Sequence, residues 1–379
     1  MSFQCPRCGN TDQKYIGYFN GQAYCRKCIS FNGEKVGVSE REKGLVSLHL
    51  KYSLSQKQDE ISKQLLENYK NHINSLVNAV CGAGKTEIVF RVISYALSHG
   101  KRVGFAIPRR DVVIELYVRL KNVFHENEVV AVYGGSTSRL EGDIVVLTTH
   151  QLYRYEKYFD LLILDEIDAF PFKGNNVLYQ MFHNAAKDVT ILMSATPSEE
   201  VLKEYKSEGK MMLELNSRFH KYPLPVPEFV TLLPYFKERF VIKTLKEFIK
   251  NKKPTLVFAP TIDECETLFE KIKQRVSDGF YVHSRLSNRS EIINKFRKYK
   301  YKFLVTTAVL ERGVTLKDLQ VIVFNADNHL YDEHALVQIA GRVGRKSDAP
   351  EGRVIFVSTK VTEEMEKARD TIKSKNQLL

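Results

Sequence analysis

Gly82, Ala83, Gly84, Lys85 and Thr86 follow the apolar run 75–79 and open a helical stretch. A strand, a glycine-rich turn and a helix N-terminus are what a nucleoside triphosphate needs. Backbone N–H groups cradle the phosphates, Lys85 can reach the β- and γ-phosphates, and Thr86 can ligate Mg2+. The strict pattern has glycine where Ala79 stands, so the form here is A-x-x-G-x-G-K-T. About eighty residues on, a second apolar run (161–164) delivers Asp165-Glu166-Ile167-Asp168. Carboxylates at the C-terminal end of a buried strand lie where open α/β sheets bind ligands. Asp165 can hold Mg2+, and Glu166 can orient and deprotonate an attacking water. Ser194-Ala195-Thr196-Pro197 follows a third apolar run and keeps the order of the series.

The cysteines carry a different chemistry. Cys5 and Cys8 form one C-x2-C pair and Cys25 and Cys28 another, both within the first 28 residues. In a reducing compartment such pairs are poor candidates for disulfides. Their spacing suits tetrahedral Zn2+ held by four thiolates. A redox pair and an iron–sulfur cluster are the alternatives. Tyr15, Tyr18, Phe19 and Tyr24 are expected to cover the metal. Arg7, Lys14, Arg26 and Lys27 leave two roles open, a staple docked on the next domain or a finger that guides a polyanion.

These clusters must be positioned by a larger frame. Residues 1–36 are too few to build a core and need a staple. From about Leu54 onward helical stretches alternate with short apolar runs at 75–79, 102–107, 144–147, 161–164 and 190–193. Runs of this length read as strands buried on both faces, and the alternation implies a parallel α/β sheet. Pro223, Pro225 and Pro227 interrupt the pattern with a stiff, extended connection. It resumes at 255–258, 279–282, 303–305, 321–324 and 354–357. The expected fold is therefore α/β, with a four-cysteine zinc module at 1–45 and parallel-sheet lobes at 46–220 and 221–379.

The 379 residues suffice for two or three domains, and a net charge of +12 leans toward a polyanionic partner. No apolar run reaches the roughly 18 residues of a membrane span. The N-terminal stretch lacks the apolar segment of a signal peptide. The expected location is the cytoplasm.

From Leu54 to near the C-terminus the motif series resembles superfamily-two helicases, which implies two RecA-like lobes. Leu54-Ser55-Gln56-Lys57-Gln58 resembles their adenine-reading motif, with Gln58 the reader. Pro108-Arg109, Thr149-His150 and the turn at Gly134-Gly135 resemble the strand-contacting motifs of the first lobe. Thr307, Glu311 and Gly313 lie in a stretch similar to the motif that links nucleotide to nucleic acid. Gln338-Ile339-Ala340-Gly341-Arg342-Val343-Gly344-Arg345 resembles the arginine-finger motif. The resemblance gives Arg342 and Arg345 the transition-state charge, and Ser194, Thr196 and Gln338 a coupling role. D-E-I-D and G-R-V-G-R look closer to DNA-directed relatives such as PriA and RecG than to RNA helicases.

A four-cysteine module before such a core, with C-G-A-G-K-T-E and P-R-x-D-V, is similar to ComFA, the late competence ATPases of Gram-positive bacteria. That resemblance implies a cytoplasmic, single-stranded-DNA-dependent ATPase that drives transforming DNA through a membrane channel. The implied partners are the channel ComEC and the companion ComFC, with a peripheral position at the inner membrane face. A PriA-like restart helicase and a DNA clamp with vestigial hydrolysis are the alternatives. A small-molecule P-loop kinase is a third, with no use for the second lobe.

Overall fold

The computed structural model describes residues 3–37, 46, 48, 53–80, 82–207, 209–215, 222–307, 316–346 and 348–377. Glu311 and Gly313 lie outside the described residues. The chain divides into two compact units, Met1–Ala79 with Gly84–Leu215, and Asn216–Leu379 with Val80–Ala83.

The first unit begins with a small antiparallel hairpin, β1 (Ile16–Phe19) and β2 (Gln22–Cys25), paired Ile16↔Cys25 through Phe19↔Gln22. Its two-residue turn places Asn20 at φ 47° and Gly21 at φ 77°. Positive φ at both central positions matches the right-handed twist of the flanking strands, which explains an Asn-Gly pair there. The rest of the unit is one parallel sheet of seven strands: β3 (Ser75–Ala79), β4 (Val103–Ile107), β5 (Val129–Val132), β6 (Ile144–Thr148), β7 (Phe159–Asp165), β8 (Ala186–Ser194) and β9 (Met211–Leu215). Their spatial order is β5-β6-β4-β7-β8-β3-β9. β4 and β6 are buried along their whole length, as strands covered by helices on both faces must be.

The second unit repeats the plan with six parallel strands: β10 (Glu228–Thr231), β11 (Thr255–Phe258), β12 (Gly279–Val282), β13 (Phe303–Thr306), β14 (Gln320–Phe324) and β15 (Val354–Ser358), ordered β10-β15-β14-β11-β13-β12. The proline-rich stretch before β10 is pinned to this unit. Asn376 takes the Leu224 N–H on its side-chain oxygen at 2.7 Å and returns its amide to the Leu224 carbonyl at 2.9 Å. Two parallel-sheet lobes are thus present as the alternation required. β5, β9 and β10, absent from the expected strands, each lie at a sheet edge, as does β12, which was expected. Among the described residues no helix is long and apolar enough to cross a membrane.

Candidate functional site

β3 ends at Ala79, and the turn that follows reverses the chain into the helix Lys85–Ile88, which is succeeded by Phe90–Ser98. Gly82 and Gly84 sit at φ 82° and 75°, a left-handed backbone that side-chain-bearing residues resist. A side chain at Gly84 would also collide with the amide of Gln58. Gln58 is 2% exposed. It completes a capping box at the start of the helix Gln56–Lys70: its Oε1 accepts from Ser55 N–H at 2.9 Å, and its own N–H reaches Ser55 Oγ at 3.3 Å. The capping box therefore holds a glutamine amide against the phosphate-binding turn.

Lys85 Nζ lies 3.5 Å from Asp165 Oδ1, both side chains largely buried. The donor set fits a bound Mg2+–nucleotide: a cation and a carboxylate face one another beside backbone that has no room for a Cβ. Thr86 occupies the second position of the helix.

Beyond Asp165 the chain turns through Glu166, held at φ 63° while its N–H donates to Asp165 Oδ1 at 2.8 Å. A left-handed glutamate is an unfavourable local conformation, retained where surrounding contacts over-determine it. Asp168 then receives two hydroxyls, Ser194 Oγ at 2.8 Å and Thr196 Oγ1 at 3.1 Å. Thr196 N–H donates to Ser194 Oγ at 2.9 Å, and both residues are buried. The ends of β7 and β8 are thereby tied together by charge-assisted bonds. Sequence reasoning named Ser194 and Thr196 but gave Asp168 no role; its place as fourth residue of D-E-I-D was the available signal.

In the second unit, Gln338 lies on the helix Glu333–Ala340 and is 7% exposed. Arg342 follows at 1% exposed, the largest of the fully buried side chains among the described residues. Arg345 is half-buried and donates from Nε to the Gly341 carbonyl at 2.9 Å, across the turn in which Gly344 takes φ 68°. The two arginines thus differ in environment, although the motif presents them alike. Thr307 follows β13, its carbonyl accepting from Thr306 Oγ1 at 3.0 Å.

The proposed strand-contacting residues of the first unit fall into two groups. Pro108 is buried and Arg109 caps the helix Arg110–Val123, while Gly135 is exposed at φ 88° with open space around it. Thr149 and His150 begin the 3-10 helix Thr149–Arg154. Thr149 is fully buried and its hydroxyl has no hydrogen-bond partner among the described residues. The His150 ring stacks on Phe31, with centroids 6.0 Å apart at 23°.

That stacking belongs to a larger contact. Arg154 donates from Nη1 to the Glu34 carbonyl at 2.8 Å, and the Arg154 carbonyl accepts from Val36 N–H at 2.9 Å. Tyr153 Oη takes the Gly33 N–H at 3.1 Å, and Asn184 donates to the carbonyls of Pro6 and Arg7 at 2.9 and 3.0 Å. Cys5, Cys8, Cys25 and Cys28 belong to the same buried apolar cluster as Leu152, Tyr155 and Met181. The module is docked on the first lobe.

The four Sγ atoms lie within 4.8 Å of one another, with Cys5–Cys28 at 3.5 Å and Cys8–Cys25 at 3.6 Å. Zn–S bonds of about 2.3 Å in a tetrahedron give sulfur separations of about 3.8 Å, so the cluster fits zinc. Burial pushes the Cys8 thiol up to about 11 and Cys28 higher still. Four thiolates so close need a cation. The expected aromatic cover is only partly present. Tyr18 and Phe19 are 68% and 72% exposed, because burial along β1 is confined to its first two residues. The lobe supplies the cover instead. Arg7 donates to the Phe31 carbonyl, while Lys14 and Lys27 flank the Tyr15 ring at 4.9 and 4.6 Å.

A phosphate-binding turn, a paired carboxylate loop and a second parallel-sheet lobe with its own arginine motif define a helicase-type ATPase. The comparisons agree. Residues 51–199 match the model of the type III restriction enzyme res subunit, and 239–347 that of the helicase conserved C-terminal domain. The chain is 34% identical to competence protein ComFA of Bacillus subtilis over 99% of its own length and 86% of that protein. It is 33% identical to ComFA of Streptococcus pneumoniae over 98% and 90%. The chain belongs to the ComFA family, and it is an ATP-dependent enzyme of helicase type. The S. cerevisiae Dbp5 structure bound to RNA and ADP BeF3 overlays at TM-score 0.65 and 14% identity, covering 86% of this chain and 93% of that one. At that identity the likeness carries the fold.

Proposed function

We propose that this chain is an ATP-driven motor that tracks along single-stranded DNA and draws it inward during competence DNA uptake. The observation that carries the reading is the carboxylate loop: Asp165 faces Lys85, and Asp168 ties Ser194 and Thr196 to the same turn. Hydrolysis and a second structural element are thereby joined through two residues of one loop.

In this reading Gly82, Ala83, Gly84, Lys85 and Thr86 hold the phosphates, Gln58 reads the adenine, and Thr86 with Asp165 holds Mg2+, which would neutralise charge on the phosphates. Glu166 orients the attacking water and takes its proton as the γ-phosphoryl group transfers. Arg342 and Arg345 answer the charge that develops on the transferring oxygens. The motif resemblance also assigns Glu311 and Gly313 to the nucleotide. The motif series assigns Pro108, Arg109, Gly135, Thr149, His150 and Thr307 to contacts with the strand, and Gln338, Ser194 and Thr196 to coupling. Zn2+ on the four cysteines would fix the module's fold. Inward movement of the strand implies a channel such as ComEC, a companion such as ComFC, and a peripheral place at the cytoplasmic membrane face.

ATP hydrolysis with no polymer, single-stranded DNA, duplex DNA and single-stranded RNA tests the reading. Strong stimulation by single-stranded DNA, abolished by Lys85→Ala, is the expected result. Stimulation by RNA alone, or indifference to every polymer, would overturn it.

A further inference from the structure

Phe170 stands two residues beyond Asp168 and four beyond Glu166, and it is 87% exposed. No other large apolar side chain among the described residues is as exposed. The exposure is not that of a loose loop. Ala169 N–H donates to the Glu166 carbonyl at 2.9 Å, and the N–H groups of Phe172 and Lys173 both reach the Ala169 carbonyl, at 2.9 and 3.0 Å. Asn175 N–H then donates to the Phe172 carbonyl at 3.0 Å. Ala169 and Phe172 are buried on either side of Phe170, and the Phe172 ring packs edge-on against Phe182 with centroids 6.5 Å apart. The loop is anchored at both shoulders and holds a rigid aromatic outward between them.

We infer that Phe170 is a stacking platform for a base of the single-stranded DNA. The inference rests on the motor reading above and names a contact that reading lacks. A flat, stiff side chain suits a base face of any sequence, as a sequence-indifferent motor requires. A chain carrying +12 supplies the long-range attraction for the phosphates. The position also gives the contact a consequence. A base seated on Phe170 bears on the loop whose Asp168 holds Ser194 and Thr196 and whose Glu166 stands beside Asp165. Strand occupancy is then felt at the carboxylates through four residues of backbone, without a change in any distant element.

The chain contains no tryptophan, so Phe170→Trp introduces a single indole, excited selectively over the tyrosines, at the proposed platform. Its emission is expected to be quenched by oligo(dT) and unchanged by a base-free deoxyribose-phosphate polymer. Affinity for the oligonucleotide should fall about 5- to 150-fold in Phe170→Ala, the range for loss of one stacked base. Phe170→Tyr should retain it, and Phe170→Leu, apolar but not planar, should lose it. Wild-type affinity in Phe170→Ala would overturn the inference, and full rescue by leucine would do so by assigning the side chain to an apolar protein contact. Wild-type chain that fails to bind single-stranded DNA would overturn the motor reading itself, a result distinct from either.

Discussion

Phe31, three residues past Cys28, stacks on His150 at the start of the 3-10 helix after β6, with ring centroids 6.0 Å apart. The contact joins the four-cysteine module to a turn that the motif series assigns to DNA. The module's apolar face is continuous with the lobe's own core, so Zn2+ on the four cysteines would support the docked face as well as the local fold. We expect one Zn2+ per chain by elemental analysis, and none in a Cys25→Ser, Cys28→Ser double variant. Without the metal the face around Leu152, Tyr155 and Met181 would lose its cover. A loss of even about 2 kcal/mol would lower Tm by roughly 4–8 °C for a unit of this size. Wild-type protein free of zinc after reducing purification, or a double variant that melts with the wild type, would refute the staple.

Asp168 accepts from Ser194 and Thr196, and hydrogen bonds to a charged acceptor contribute about 1.5–3 kcal/mol each. Groups that share one acceptor couple, so their substitutions do not add. A double-mutant cycle between Asp168→Ala and Ser194→Ala, read by urea denaturation, should give an interaction energy above about 1 kcal/mol. Asp168→Asn, which keeps one acceptor oxygen, should be milder than Asp168→Ala in both stability and DNA-stimulated turnover. Additive single effects would mean the two strand ends are not joined through this carboxylate.

The arginine motif separates in the same way. Arg345 is half-buried and bonded to the carbonyl of its own turn, whereas Arg342 is 1% exposed. For a side chain that answers transition-state charge, removal costs on the order of 10³ in kcat. Arg345→Ala should show that loss with little change in Tm. Arg342→Ala should lose turnover and also lower Tm, because its burial makes it part of the packing. Equal thermal stability of both variants would show that the difference in burial has no energetic weight.

How far this arrangement could be read from the chain depends on how local each feature is. The central strands were legible because both faces are covered and every residue of a run such as 144–148 is apolar or buried. β9 and β10 were not, since both are half-exposed edge strands with no continuous apolar signature; β5, also at an edge, is a short apolar run at 129–132 that was passed over. Lys85, Asp165 and Ser194 were found through short motifs at strand ends. Docking of the module was one of two roles the sequence left open, and the contacts that make it were invisible. Glu34 and Arg154 stand 120 positions apart, and a contact between a coil and a 3-10 helix at that separation leaves no period in the sequence. Phe31 and Arg154 are accordingly the residues that motif reasoning missed.

Burial lowers the pKa of His150 from its ordinary 6.5. Folding therefore favours the neutral imidazole, and the unfolded chain takes up the proton first as pH falls. Below about 6.5 the unfolded state binds more protons than the native state, so stability drops with falling pH until the folded imidazole is also protonated. The contribution of His150 stacked on Phe31 is thus fully present above neutrality and diminishes in mild acid. His150→Gln removes the titration and leaves every other ionisable group in place. The Tm advantage of wild type over this variant should therefore shrink between pH 7.5 and pH 5.5, with zinc content followed in parallel to keep the module loaded. A difference that stays constant across that range would show that the ring is not desolvated by the module. A difference that grows toward acid would reverse the sign and place a carboxylate, rather than an apolar surface, against the imidazole.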